Sequence, residues 1–223
     1  MFQLSQEHKE NSKMTLTTTA YNKIREMIIN NEIPSGGLIS ENMLTELLGM
    51  SRTPIREALK ILQRDDLVEV IRGGGTYVKG VTEKELRDLF SVRISLECLA
   101  AETAIHYIDD QQIEEMIQEW KTIQNFEHAA SVNWEQIALA DNVLHRMIIY
   151  KSHNQVLRHV YDCLNSKFIR YQHLAARSLG SLATTALEHN ELLMLLRERD
   201  VGAIRACITN HLDLSMQYIT RKL

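Results

Sequence analysis

The chain has 223 residues, 44% of them hydrophobic and 24% charged, with a formal net charge of −4. That is a globular composition, long enough for one large unit or two small ones, and its acidic balance excludes a generically basic nucleic-acid binder. No apolar run approaches the roughly 18 residues of a membrane span. Helix breakers are unevenly spread: of nine Gly and two Pro, only Gly180 and Gly202 lie beyond residue 80. A β-sandwich or an α/β sheet needs more turn residues than that, so residues 81–223 read as all helix. Cys98, Cys163 and Cys207 are odd in number and form no CxxC pair. They exclude a disulfide framework or zinc ribbon and suit a reducing cytoplasm.

Residues 1–17 lack an apolar segment and read as a flexible arm. The first helix is predicted over Thr18–Asn30, with Ala20, Ile24, Met27 and Ile28 on one face. Pro34, Gly36 and Gly37 stop it. Ser40 is placed to cap a helix over Glu41–Leu48, with Glu41 facing its positive end. After the Gly49-Met50-Ser51 turn, Thr53-Pro54 opens a third helix with Ile55, Ala58, Leu59 and Leu62 on one face. The period then changes. Leu67–Ile71, a triple-glycine turn at 73–75, and Thr76–Val78 predict a β-hairpin. Helix, helix, tight turn, helix, hairpin over 18–80 is the order of a winged helix-turn-helix. Beyond the boundary near Gly80, Thr82–Glu85 forms a capping box. Six amphipathic helices follow, to about Tyr107, Ala130, Tyr150, Ser178, Arg199 and the C-terminus, with Asn133 and Asp200 as caps. Residues 81–223 therefore predict a helical bundle.

Arg52, Arg56, Lys60 and Arg64 recur every four residues, forming a basic stripe apart from the apolar face. N-terminal residues of a recognition helix reach base edges and phosphates, which favours Arg52, Thr53 and Arg56. Arg72 and Gly73, at the hairpin tip, are placed for an adjacent groove or phosphate. An ordinary solvated basic face would show the same stripe. In the bundle, Asp141 and His145 share a helix face at i and i+4. His189 and His211 stand eleven residues either side of Asp200, level with each other in a helical hairpin hinged there. Together they make a ligand set suited to Zn²⁺ and acceptable to Mn²⁺, Ni²⁺ or Fe²⁺. Satisfied core or surface histidines are the plainer reading of the same spacing. Arg93 sits among Val92, Ile94 and Leu96, where a guanidinium needs an anion. Glu97, one turn on, is the plain partner, although Arg before Glu is the weaker orientation. An effector carboxylate is the sharper one.

The run Ser40-Glu41, Leu44, Leu47, Gly49–Leu59, Leu62, Leu67-Val68 and Gly75–Val78, with SRTPIREAL at its centre, resembles the GntR family of bacterial transcription regulators. The helical remainder is similar to the FCD effector domain of the FadR subfamily, and its six helices to the VanR-like branch. The resemblance covers about 18–221. It implies a mainly α fold, a winged helix-turn-helix followed by an FCD-like bundle that binds effector and dimerises. It implies operator contacts at Arg52, Arg56, Arg72 and Gly73. Asn42 departs from the fatty-acid-responsive member, which has a DNA-contacting Arg there. The resemblance further implies a divalent metal, zinc first and nickel or manganese next, on Asp141, His145, His189 and His211. His106, His128, His153, His159 and His173 do not fit that pattern. It implies a small carboxylate effector held with Arg93, and a cytoplasmic homodimer on a pseudo-palindromic operator. Two alternatives stand beside this repressor: a metal-dependent enzyme carrying a DNA-binding module, and a regulator whose bundle holds no metal.

Overall fold

The structure is a computed structural model, and it describes residues 15–125, 134–178 and 182–223. The expected cap at Asn133, the end of a helix at Ala130, His128 and the break at Gly180 lie outside those residues.

The N-terminal unit runs α1 (Leu16–Ile29), β1 (Leu38–Ile39), α2 (Glu41–Leu48), α3 (Arg52–Arg64), β2 (Val68–Ile71) and β3 (Gly75–Val78). Leu16 and Thr17, expected in the arm, are helical because Thr15 Oγ1 accepts the Thr18 N–H at 3.1 Å and caps the helix. Ser40 caps α2 as expected, and Gly49 ends it with φ 63°, a left-handed turn that glycine adopts without strain. The hairpin gains a third strand that its sequence did not announce. Leu38 pairs with Tyr77 and Ile39 with Thr76, so the sheet order is β1-β3-β2. Ile24, Leu44, Ile55, Leu62, Leu67 and Val78 bury completely in one cluster beneath α3 and the sheet. The face of α3 that faces away from this core carries the basic stripe.

The bundle runs α4 (Glu83–Ala104), α5 (Asp110–Gln124), α6 (Trp134–Lys151), α7 (Gln155–Ser178), α8 (Leu182–Glu198) and α9 (Val201–Thr220). The Thr82 capping box closes α4 at its start, and Asp200 caps α9 through the Ala203 N–H. α4 stops three residues short of Tyr107, because Ile105 and Ile108 turn inward to the core. The main pairings are α4 with α9, α5 with α8 and α6 with α7. No helix among the described residues is long and apolar enough to cross a membrane, and the three cysteines are free thiols.

α7 also packs on α1 and ties the two units together. Ser166 Oγ accepts from Arg25 Nε at 3.0 Å, and Lys167 Nζ donates to Asp66 at 2.5 Å. Arg170, buried in the joint, donates to Ser35 Oγ at 3.0 Å and to the Lys79 carbonyl at 2.7 Å. Asp66 accepts from Lys79 as well as Lys167. Burial opposes ionisation of this carboxyl, but the two ammonium groups prevail and hold its pKa below the usual value.

Candidate metal centre and nucleic-acid interface

On α3, Arg52, Thr53, Arg56 and Lys60 are all exposed, as are Arg72 and Gly73 at the tip between β2 and β3. The six residues proposed from sequence therefore lie on the surface of the N-terminal unit, with none taken into its core. Arg56 is not a free arm. Its Nε donates to both Glu41 carboxylate oxygens at 2.9 and 2.8 Å, across the turn from α2. That contact leaves the two terminal nitrogens to point elsewhere and limits the rotamers the side chain must give up on binding. Lys60 is drawn back to Glu57 at 2.8 Å. In the sequence Glu41 reads only as a first-turn acid. Its pairing with Arg56, fifteen positions away, has no signal in local spacing.

In the bundle, Asp141, His145, His189 and His211 come together from α6, α8 and α9. One ligand atom of each lies within 4.8 Å of every other. Asp141 Oδ1 is the centre of the group. It stands 2.9 Å from His189 Nε2 and 3.5 Å from Nε2 of both His145 and His211. All three imidazoles are buried. Each presents Nε2 inward because its Nδ1 is held from behind. His145 Nδ1 meets Glu97 Oε2 at 2.5 Å, His189 Nδ1 donates to the Thr185 carbonyl at 2.7 Å, and His211 Nδ1 meets Glu188 Oε2 at 3.1 Å. Partners of this kind fix the tautomer and ring orientation of metal-ligating histidines. Trp120 stacks on the His189 ring with centroids 3.7 Å apart and closes its outer face.

The proton count at His189 is informative. A neutral imidazole carries one N–H. The Thr185 carbonyl accepts it, which leaves a lone pair on Nε2 facing a carboxylate oxygen at 2.9 Å. A second proton would relieve this, but burial, together with the neighbouring His211, drives the His189 pKa down to about 4. His211 moves the other way. Burial opposes its charge, but Asp141 and Glu188 prevail and raise it to about 9. Asp141, Glu97 and Glu188 surround the cluster, with the Arg93 guanidinium and the His211 imidazole as the opposing cations. Nε2 of His145 and of His211 and Oδ2 of Asp141 are buried without a hydrogen-bond partner among the described residues.

These observations fit a divalent cation. Ligands bound at about 2.1 Å hold adjacent donor atoms roughly 3.0–3.4 Å apart. The spacings around Asp141 Oδ1, 2.9 Å to His189 and 3.5 Å to His145 and His211, lie within about 0.1 Å either side of that range. Three nitrogens and one carboxylate oxygen are a donor set for zinc, nickel or manganese.

Arg93 is fully enclosed, with Nε donating to Glu97 Oε1 at 2.7 Å. The plain partner expected from sequence is therefore made. Its Nη2 is paired with Asp141 Oδ2 at 3.8 Å and has no hydrogen-bond partner among the described residues. It lines a cavity with Asp141, Gln172, His189, His211 and Tyr171. The cavity's free volume is about 20 Å³, room for one or two waters in this conformation. Of the other histidines, His106, His153 and His159 are exposed and His173 is partly buried on α7, so none of these four joins the cluster. Glu97, Thr185 and Glu188 hold the imidazoles through contacts that the sequence does not signal. Glu97 carried the only hint, its place one turn after Arg93.

Two family models match this chain. Residues 16–78 match the family described as "Bacterial regulatory proteins, gntR family", and residues 88–214 match the FCD domain. The HTH-type transcriptional regulator YdhC of Bacillus subtilis (strain 168) is 25% identical over 204 residues, 91% of this chain and 90% of its own length. The gluconate operon transcriptional repressor of Bacillus licheniformis is 40% identical over 80 residues, 36% of this chain and 32% of its own. The repressor RspR of Escherichia coli (strain K12) is 22% identical over 203 residues, 86% of this chain and 84% of its own. Among solved structures, McbR/YncC of E. coli shares the fold with a TM-score of 0.78 at 21% identity, over 93% of this chain and 98% of that one.

Proposed function

This chain belongs to the GntR family of bacterial transcriptional regulators and carries an FCD domain, and from that premise we propose that it is a metal-containing repressor that responds to a small organic acid. The family consists of operator-binding regulators rather than enzymes, which sets aside the metalloenzyme alternative. Relatives named as repressors support the sign of regulation.

Asp141, His145, His189 and His211 are the proposed metal ligands. The observation that carries this reading is the convergence of one ligand atom from each of the four residues, all within 4.8 Å of one another, with every imidazole held from behind at Nδ1. A bound ion supplies a Lewis-acid anchor for a carboxylate oxygen. Arg93 Nη2, with no hydrogen-bond partner among the described residues, offers a charge-assisted hydrogen bond to the same acid. The small cavity favours a short acid, whose entry must displace wall side chains.

α7 connects this site to DNA. Tyr171, Gln172, Ala175 and Ala176 line the cavity, while Ser166, Lys167 and Arg170 grip the N-terminal unit. Adjacent residues, Arg170 and Tyr171, thus serve the two ends. An effector that binds one setting of α7 more tightly shifts the other end in proportion to that difference. In a homodimer, two α3 helices would read half-sites about 34 Å apart. Arg52, Thr53, Arg56, Lys60, Arg72 and Gly73 are the proposed contacts.

Elemental analysis of the full chain tests the centre. Wild type is expected to carry about one equivalent of metal, with little in His189→Ala or His211→Ala. Equal metal in all three would overturn the ligand assignment, whereas a folded wild type without metal would favour a regulator sensing through Arg93 alone. The absence of salt-sensitive binding to DNA upstream of its own gene would count against the regulator reading as a whole.

A further inference from the structure

A groove between α5 and α6 has a free volume of about 310 Å³, against about 20 Å³ beside the metal cluster. Leu139, Val143, Arg146 and Tyr150 line it from one stripe of α6, roughly opposite the stripe of Asp141 and His145. Met116 of α5 and Met147 of α6 add buried thioethers, while Leu139 is 60% exposed at the mouth. The apolar wall thus begins near the start of α6, and Arg146, Tyr150 and Lys151 gather toward its end. Arg146 Nη2 donates to Tyr150 Oη at 3.0 Å, and Tyr150 in turn donates to Asp162 Oδ1 at 2.8 Å. Neither Arg146 nor Lys151 makes an ion pair among the described residues, and no carboxylate lines the groove. Gln112, from α5, adds a buried amide oxygen without a hydrogen-bond partner among the described residues. A half-turn of that amide presents its N–H₂ in the same place, a neutral donor beside the two cations.

We propose that this groove is a second ligand site, independent of the metal centre, for an amphipathic monoanion: an apolar body carrying one carboxylate. Its volume stands at the lower end of small-molecule pockets, about 300–1,000 Å³. The body would lie against Met116, Leu139, Val143 and Met147, where unbranched thioethers adapt to its outline. The carboxylate would meet Arg146 and Lys151, whose charges have no counter-charge in the groove. Asn142, buried, also lines the groove, and its Nδ2 donates to Gln172 Oε1 on α7 at 3.0 Å. The site therefore stands one hydrogen bond from the helix that grips the N-terminal unit.

The test titrates the full chain by calorimetry with octanoate and with 1-octanol, its uncharged counterpart. Wild type is expected to bind one equivalent of octanoate, roughly three- to tenfold more tightly than the alcohol, because two half-buried cations add modest attraction. Arg146→Met with Lys151→Met removes both charges but keeps the apolar stems, and is expected to bind the two probes about equally. Val143→Trp fills the groove and is expected to bind neither. Leu139→Glu, at a position already in solvent, sets a carboxylate at the mouth and is expected to weaken octanoate severalfold. It covers the case of a poorly folded Val143→Trp. His189→Ala is expected to bind octanoate as wild type does. A wild type without saturable octanoate binding would overturn the site, as would full affinity in Leu139→Glu. Loss in His189→Ala with retention in Leu139→Glu would move the acid to the metal centre and overturn it too. An octanoate preference that survives in the double variant would overturn the role of Arg146 and Lys151. A change of oligomeric state in Leu139→Glu, read by sedimentation, would show that a second copy covers the groove, which also overturns the proposal.

Discussion

Glu97 is where the buried charge network is most exposed to a single change. Its Oε1 accepts from Arg93 at 2.7 Å and its Oε2 meets His145 Nδ1 at 2.5 Å, and all three residues are fully enclosed. Burial opposes ionisation of this carboxyl, yet His145 and Arg93 hold its pKa below the usual value. Glu97→Gln keeps the volume and removes the charge. Breaking one side of a buried ion pair costs about 3–5 kcal/mol, because the remaining charge is left uncompensated. Asp141 Oδ2, 3.8 Å from Arg93 Nη2, keeps part of that compensation, which places the expectation at the lower end. For a chain of this length each kcal/mol moves Tm by roughly 2–4 °C. A fall of about 6–12 °C is expected by calorimetry of the metal-free protein. The same substitution weakens the hold on His145 and is expected to lower metal affinity about ten- to a hundredfold in competition with a chromophoric chelator. Arg93→Met with Glu97→Gln separates the two effects. With neither charge buried, most of the stability is expected to return, while metal affinity stays low. A Glu97→Gln protein with wild-type Tm and wild-type metal affinity would refute the network as described.

Three further outcomes are expected. Arg56→Ala should weaken operator binding by roughly tenfold or more in a gel-shift titration, with metal content unchanged; unchanged affinity would remove Arg56 from the interface. Arg170→Met cuts the bonds from α7 to Ser35 and Lys79, so it should leave effector binding intact while reducing the effector's influence on DNA affinity severalfold. Full coupling in that variant would show that α7 does not carry the signal. Asp66 has φ 59°, which Asn tolerates, so Asp66→Asn removes charge without straining the backbone. The folded-state pKa of Asp66 is depressed, so its stabilisation is present above the unfolded carboxyl pKa and is lost as pH falls through the lower folded value. The stability gap between wild type and Asp66→Asn should be under about 1 kcal/mol at pH 7, given the exposure of the pair, and should close on acidification below about pH 4. A gap that widens in acid would contradict the ion-pair account.

Local physics makes much of the molecule legible in its sequence. Caps at Ser40, Thr82 and Asp200 act within three residues of themselves, and each holds. Periodicity separates the face of α3 carrying Ile55 and Leu62 from the face carrying Arg52 and Arg56 for the same reason. β1 escaped notice because two residues, Leu38 and Ile39, have no pattern of their own and become a strand only by pairing with β3.

The amino-acid sequence by itself determined the order of helices, the winged unit, the basic stripe and the candidate ligand types, since helix faces and caps depend on neighbours one turn away. Asp141 and His145 share a face by helix geometry alone, and the hinge at Asp200 levels His189 with His211. Tertiary structure decided what stands behind those ligands. Glu97 on α4 reaches His145 on α6, and Asn142 on α6 locks Gln172 on α7. It also decided that α7, whose Tyr171 lines the cavity, grips the DNA-reading unit through Arg170. Those contacts join residues 30 to 135 positions apart. Only the packing of whole helices brings them within hydrogen-bond distance, and no local spacing encodes it.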